Sequence, residues 1–198
     1  MGTKLEKRPS WATRALQGVT YWIGHRRCLY KQYPLAEGAL VAELCNLIHA
    51  NLHSDYVLAC EVQYTELLEG KPKPDLLTQR ARADLVVSKK PEEKDGEPTP
   101  RFIIEVKRSS APKAQIDADL RRLAAVQLAH RGVRTFMFLI AEAHRPKRFV
   151  DDEGKSLTGK HSIPNSSGYY RVRRTLKAAH AYTEVANAQY ACLLEIYA

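Results

Sequence analysis

The 198-residue chain predicts an α/β protein whose central elements run helix, strand, strand, strand, helix, strand. Apolar residues recur at helical spacing over 34–53 and again from Pro112 to about Gly132, and short runs of strand formers lie at 56–64, 82–88, 101–107 and 135–141. No internal repeat or low-complexity tract interrupts that order.

The first 33 residues mix basic and aromatic side chains without a clear period, and they are left without an assignment as an N-terminal extension. Pro34 then suits a first helical turn, and Leu40, Val41, Leu44, Leu47, Ile48 and Leu52 form one apolar stripe. Tyr56 to Tyr64 is rich in strand formers and is broken off by the Gly70 to Pro74 stretch. The run 82–88 and the run 101–107 are joined by Ser88 to Pro100, which holds no apolar residue and reads as a solvated hairpin loop. Ile116, Leu120, Leu123, Ala124, Val126 and Leu128 give the second helix its apolar face. Thr135 to Ala141 is continuously apolar, as expected of a strand covered on both faces. Residues 142–198 form a basic C-terminal extension, in which Tyr169 to Lys177 fits either strand or helix and Gln189 to Tyr197 reads as a last strand. The organisation expected is one domain, with a core over 34–141 and the two extensions packed on it.

Net charge is +9, which favours a polyanionic partner, with nucleic acid the leading class. Cys28, Cys45, Cys60 and Cys192 are widely spaced with no CxxC pair, as in reduced thiols packed as small hydrophobes in a cytoplasmic setting. No stretch approaches the length of a membrane span, and the start lacks the apolar core of a signal peptide.

The chemistry-bearing residues lie within the strands. Asp84 interrupts Arg82-Ala83-Asp84-Leu85-Val86-Val87, and Glu105 and Lys107 interrupt Arg101-Phe102-Ile103-Ile104-Glu105-Val106-Lys107. A carboxylate is retained in such surroundings when it is paired, hydrogen-bonded or holding a cation. Strand alternation puts Glu105 and Lys107 on one face and Phe102, Ile104 and Val106 on the other. Hairpin pairing brings Asp84 beside Glu105, giving two hard oxygen ligands for a divalent metal. Glu37 adds a carboxylate on the core-facing stripe of the first helix and ranks above Glu43, which falls on its flank.

This order, Glu on a helix, Asp on a strand and Glu-Val-Lys on the next, resembles the PD-(D/E)xK nuclease superfamily over about residues 34–141. The resemblance implies a restriction-endonuclease-like mixed central sheet flanked by helices, and a metal-dependent nuclease that hydrolyses DNA. In it Asp84, Glu105 and the backbone carbonyl of Val106 would hold Mg²⁺, with Mn²⁺ substituting, and Lys107 would position or deprotonate the attacking water. Glu37 would support the metal or the water, as in junction resolvases. Ala83 stands where the motif name has Pro, and the literal Pro74-Asp75 is a decoy, because the residues after it read as a turn or short helix. DNA is the partner implied, with a homodimer or a place in a larger assembly open. The competing class is an inactive nuclease-fold module that binds nucleic acid or a protein.

Gln115, Asp119 and Arg122 on the second helix read as a solvated face, and His49 and His53 as solvated histidines. Ser109 and Ser110 lack the G-x-S-x-G setting of a hydrolase nucleophile. Arg145, Lys147, Arg148, Arg171, Arg173, Arg174 and Lys177 are candidate phosphate contacts, with Tyr169 and Tyr170 near enough to stack on bases; Arg26, Arg27 and Lys31 form a second basic group.

Overall fold

The computed structural model describes residues 7–30, 33, 35–71, 74–78, 80–93, 95–179 and 183–198. Pro34 and Lys31, given roles above, lie outside the described residues. A seven-stranded mixed sheet forms the middle layer, and helices cover both of its faces.

The unassigned N-terminal segment contains a 20-residue helix, α1 (Ser10–Leu29). Its buried side is Trp11, Ala12, Ala15, Leu16, Val19 and Ile23, so half of the inward stripe is alanine or small aliphatic. Tyr21 and Tyr30 stay exposed, and this mixture hides the helical period. Arg26 and Arg27 lie in its last turn, where cations favour the helix dipole. The next helix, α2 (Glu37–His49), buries Leu40, Leu44 and Ile48 as the apolar stripe requires. It runs close against α1, because a Cβ on Gly18 would come within 2.5 Å of the Leu47 side chain.

The strands are β1 (Tyr56–Gln63), β2 (Arg82–Lys89), β3 (Thr99–Arg108), β4 (Arg134–Ala141), β5 (His161–Ser162), β6 (Tyr169–Ala178) and β7 (Gln189–Tyr197). A single helical turn, α3 (Tyr64–Leu67), follows β1, and α4 (Lys113–Ala129) links β3 to β4. The sheet order is β1-β2-β3-β4-β7-β6-β5, with β3 and β4 parallel and the other neighbours antiparallel. An intervening helix of this kind is what a parallel pair needs for its crossover.

Residues 142–198 extend the core, since β7 is inserted between β4 and β6. Both β4 and β7 are buried along almost their whole length, which explains their unbroken apolar runs. On one face Ile104, Val106, Phe136 and Phe138 pack with α1 and α2; on the other Ile103, Met137 and Leu139 pack with α3 and α4. The α4 face differs from expectation at one position. Leu128 is 58% exposed, because the helix turns it away from the Leu120 and Leu123 side that meets the sheet.

If α1 is a structural layer, Leu16→Ala lowers stability in urea unfolding by about 3 kcal/mol with an unchanged m value. Leu128→Ala on the exposed face stays within about 0.5 kcal/mol of the parent.

Candidate active site

The β2–β3 ladder runs from Lys89↔Thr99 to Leu85↔Ile104, and the next residues along, Asp84 and Glu105, lie past its last pair. On the other side of β2 the register passes from Cys60↔Leu85 to Val62↔Ala83, skipping Asp84 and the facing Glu61. Glu61 adopts a left-handed conformation with φ 56°, a local break in the edge strand. Asp84 therefore sits where ladder pairing lapses on both flanks, and its side chain takes over. Its Oδ2 accepts the Val106 backbone N–H at 2.6 Å, doing the work of a carbonyl in the neighbouring strand. In extended backbone the N–H and C=O of one residue point to the same side, so the Val106 carbonyl also faces the Asp84 gap.

Glu105 is 3% exposed, and its carboxyl lies beside that of half-buried Asp84. The Tyr64 hydroxyl, fully buried on α3, donates to Glu105 Oε1. Burial first, then the Asp84 charge, pushes the Glu105 carboxyl up to about 8. Asp84 is also raised by burial, against the pull of the Val106 N–H, the bond to Glu105 and nearby Lys107. The Tyr64 phenol lies well above its ordinary range, from burial and the Glu105 charge beside it.

Lys107 points to the same side as Glu105 and is clamped between two helices. Its Nζ donates to Glu37 Oε1 at 2.8 Å, and lies 3.1 Å from Asp119 Oδ2. Glu37, the first residue of α2, also accepts the Arg108 backbone N–H at 3.3 Å through its other oxygen. Asp119 is 2% exposed and carries a second ion pair to Arg122, one turn along α4. The solvated reading of this part of α4 is thus overturned for Asp119 and Arg122, whereas Gln115 is exposed as expected. The available signal was the phase of Asp119, one residue before Leu120 and three after Ile116, on the flank of the buried stripe.

Among the described residues, no three His, Cys, Asp or Glu side chains stand together as a metal cage. Asp84 and Glu105 form a pair, and Glu37 meets Lys107 instead of joining them. Asp75 lies exposed in a turn, apart from this cluster. His49 and His53 are exposed. Ser109 Oγ does lie 2.7 Å from His144 Nε2, but the other ring nitrogen is 2.9 Å from the Glu142 backbone carbonyl, so no carboxylate completes a triad.

Most of the basic C-terminal side chains have internal partners. Arg148 is 2.5 Å from Asp117 and lies over the Phe149 and Tyr170 rings; Arg145 pairs with Asp152, Arg173 with Glu195, and Lys177 donates to the Glu184 carbonyl at 2.8 Å. Arg171 makes a long contact, 3.5 Å, to the Thr158 carbonyl, Arg174 is half-buried, and Lys147 is exposed. Tyr170 cannot serve as a stacking platform, being 2% exposed and packed on Phe149; Tyr169 stacks on Tyr197. Of the second basic group, Arg26 pairs with Glu142 at 3.6 Å.

The raised Glu105 carboxyl makes a pH signature. The folded protein holds a proton that the unfolded chain gives up near 4.5, so stability is full below about 4.5 and falls as pH rises towards about 8. The slope is at most about 1.4 kcal/mol per pH unit. Glu105→Gln removes this fall between pH 6 and 8, as read by denaturant unfolding of the metal-free protein across roughly that range.

No family model and no curated protein matches the chain. Among solved structures it is similar to NucC of P. aeruginosa ATCC27853 in a cAAA-bound form, at 12% identity and a TM-score of 0.34. The likeness covers 63% of this chain and 53% of that one, so the chain spans about half the length of its structural neighbour.

Proposed function

We propose that this protein is a metal-dependent nuclease of the PD-(D/E)xK type, hydrolysing DNA phosphodiester bonds with a water activated at the Asp84–Glu105–Lys107 cluster. The observation that carries this reading is the carboxyl pair at the end of the β2–β3 ladder, Glu105 buried and Asp84 half-buried, with a lysine next along the same strand face. Two neighbouring acidic groups repel each other when both are ionised, and the raised Glu105 carboxyl relieves the repulsion by keeping its proton. A hard divalent cation in place of that proton satisfies the same oxygens, so the donor set fits Mg²⁺ or Mn²⁺.

Asp84, Glu105 and the Val106 carbonyl would hold the metal. When bound, it supplies Lewis-acid polarisation of the phosphate and neutralises charge building on the phosphate and leaving oxygens. The protein's own groups do the positioning. Tyr64 fixes the Glu105 carboxyl by its hydroxyl, and the Val106 N–H fixes Asp84. Lys107 orients the attacking water, and its ammonium is aimed by Glu37 and Asp119, with Arg122 holding Asp119 in place. Glu37 is the more exposed of the two clamping carboxylates, so it is the one that water and substrate reach first.

DNA as partner is supported by the net charge of +9 and by the exposed Lys147, with Arg171 and Arg174 half-buried. Cutting both strands of a duplex would call for a second copy of the chain. A cytoplasmic setting fits these expectations, and no described helix is long and apolar enough to cross a membrane.

The test is incubation with plasmid and single-stranded DNA, with and without Mg²⁺ or Mn²⁺. Wild type cuts only with metal; Asp84→Asn and Lys107→Ala each lose at least about a hundredfold in rate while DNA binding is kept. Asp119→Asn, which loosens the lysine without touching the metal ligands, loses about tenfold in rate with little change in KM. Wild-type protein that binds DNA and never cuts would establish the inactive binding module instead.

A further inference from the structure

Two of the four cysteines meet. The Sγ of Cys45 on α2 lies 3.4 Å from the Sγ of Cys60 on β1, while Cys28 is exposed at the end of α1 and Cys192 is buried in β7. Cys60 is exposed on an edge strand and Cys45 is half-buried beneath it, so a soluble reagent reaches one sulfur with the other directly behind. A disulfide needs the sulfurs about 2.05 Å apart, a closure of about 1.3 Å from the 3.4 Å seen here.

We infer that Cys45 and Cys60 are a covalent modification site, forming a reversible disulfide that fastens α2 to the edge strand β1. Its position is informative. Cys45 is eight residues along the helix that begins at Glu37, and Cys60 pairs in register with Leu85, the neighbour of Asp84. The cross-link would therefore brace α2, which presents Glu37, against β1, the strand paired with the Asp84-bearing β2. Nothing in this inference depends on nuclease activity.

The oxidant is a low-molecular-weight disulfide. The Cys60 thiolate attacks one sulfur of oxidised glutathione, expelling one glutathione thiolate; the Cys45 thiolate then attacks the Cys60 sulfur and expels the second. Two protein thiols and one glutathione disulfide become one protein disulfide and two glutathione thiols. Burial, with the neighbouring Cys45 and Glu61, pushes the Cys60 thiol up to about 11, so exchange at this sulfur is slow at neutral pH and faster in mild alkali.

The experiment treats full-length protein carrying Cys28→Ser with oxidised glutathione at about pH 8.5. Digestion without reduction followed by mass spectrometry should recover a Cys45–Cys60 peptide, with the intact mass lower by two hydrogens. The melting temperature should rise by about 5–10 °C, as expected for a loop this short, and return on adding dithiothreitol. Both changes should vanish in Cys45→Ser and in Cys60→Ser. A glutathione adduct that persists on Cys60, a bridge to Cys192, an unreacted protein or a lowered melting temperature would each overturn the inference.

Discussion

One hydrogen bond organises the site: a carboxylate oxygen of Asp84 receives the Val106 N–H that a carbonyl of β2 would otherwise take. A hairpin that stayed zipped through this point would bury Asp84 and Glu105 among ladder bonds with no room between the strands. By ending the backbone pairing at Leu85 and Ile104, the chain keeps both strands in the sheet and yet leaves side-chain oxygens facing each other. The cost of bringing acids together in a dry place is borne by the rest of the sheet. Val86, Ile103 and Ile104, immediately inside the gap, are at most 2% exposed.

Lys107 is the second organising element, because two helices converge on it. A lysine on a strand end has four rotatable bonds and no preferred direction. Contacts from the first turn of α2 and from the middle of α4 remove that freedom, and the Arg122 bridge keeps Asp119 from following the lysine elsewhere. The helices on opposite faces of the sheet thus meet functionally at a single ammonium group. Tyr64 plays the corresponding part for Glu105, so each of the polar groups on β3 has a partner from a different element.

The parts of this arrangement that were legible in sequence are those governed by short-range periodicity. Alternation along β3 already puts Glu105 and Lys107 together, the loop of Ser88 to Pro100 already implies that β2 and β3 are neighbours, and the Leu40–Leu44–Ile48 stripe already turns Glu37 inward. What escaped was anything decided by long-range contact. Asp119 looks like an ordinary polar residue of an amphipathic helix until β3 supplies Lys107, 12 residues earlier, as its partner. The arginines of the C-terminal region look like a phosphate grip until Asp117, Asp152 and Glu195 claim three of them. In α1, alanines on the inner side and tyrosines on the outer one invert the usual hydropathy contrast, so only the docking against Phe102 and Phe136 reveals which side is buried.

The insertion of β7 between β4 and β6 has a temporal consequence. During synthesis β4 emerges about 55 residues before the strand that covers its outer edge, so Thr135 to Ala141 must wait with a row of unpaired amides and apolar side chains. Closing such a distant pair is slow compared with forming the β2–β3 hairpin, which makes this edge the natural place for a chaperone to hold the nascent polypeptide and for misassembly to begin when none does.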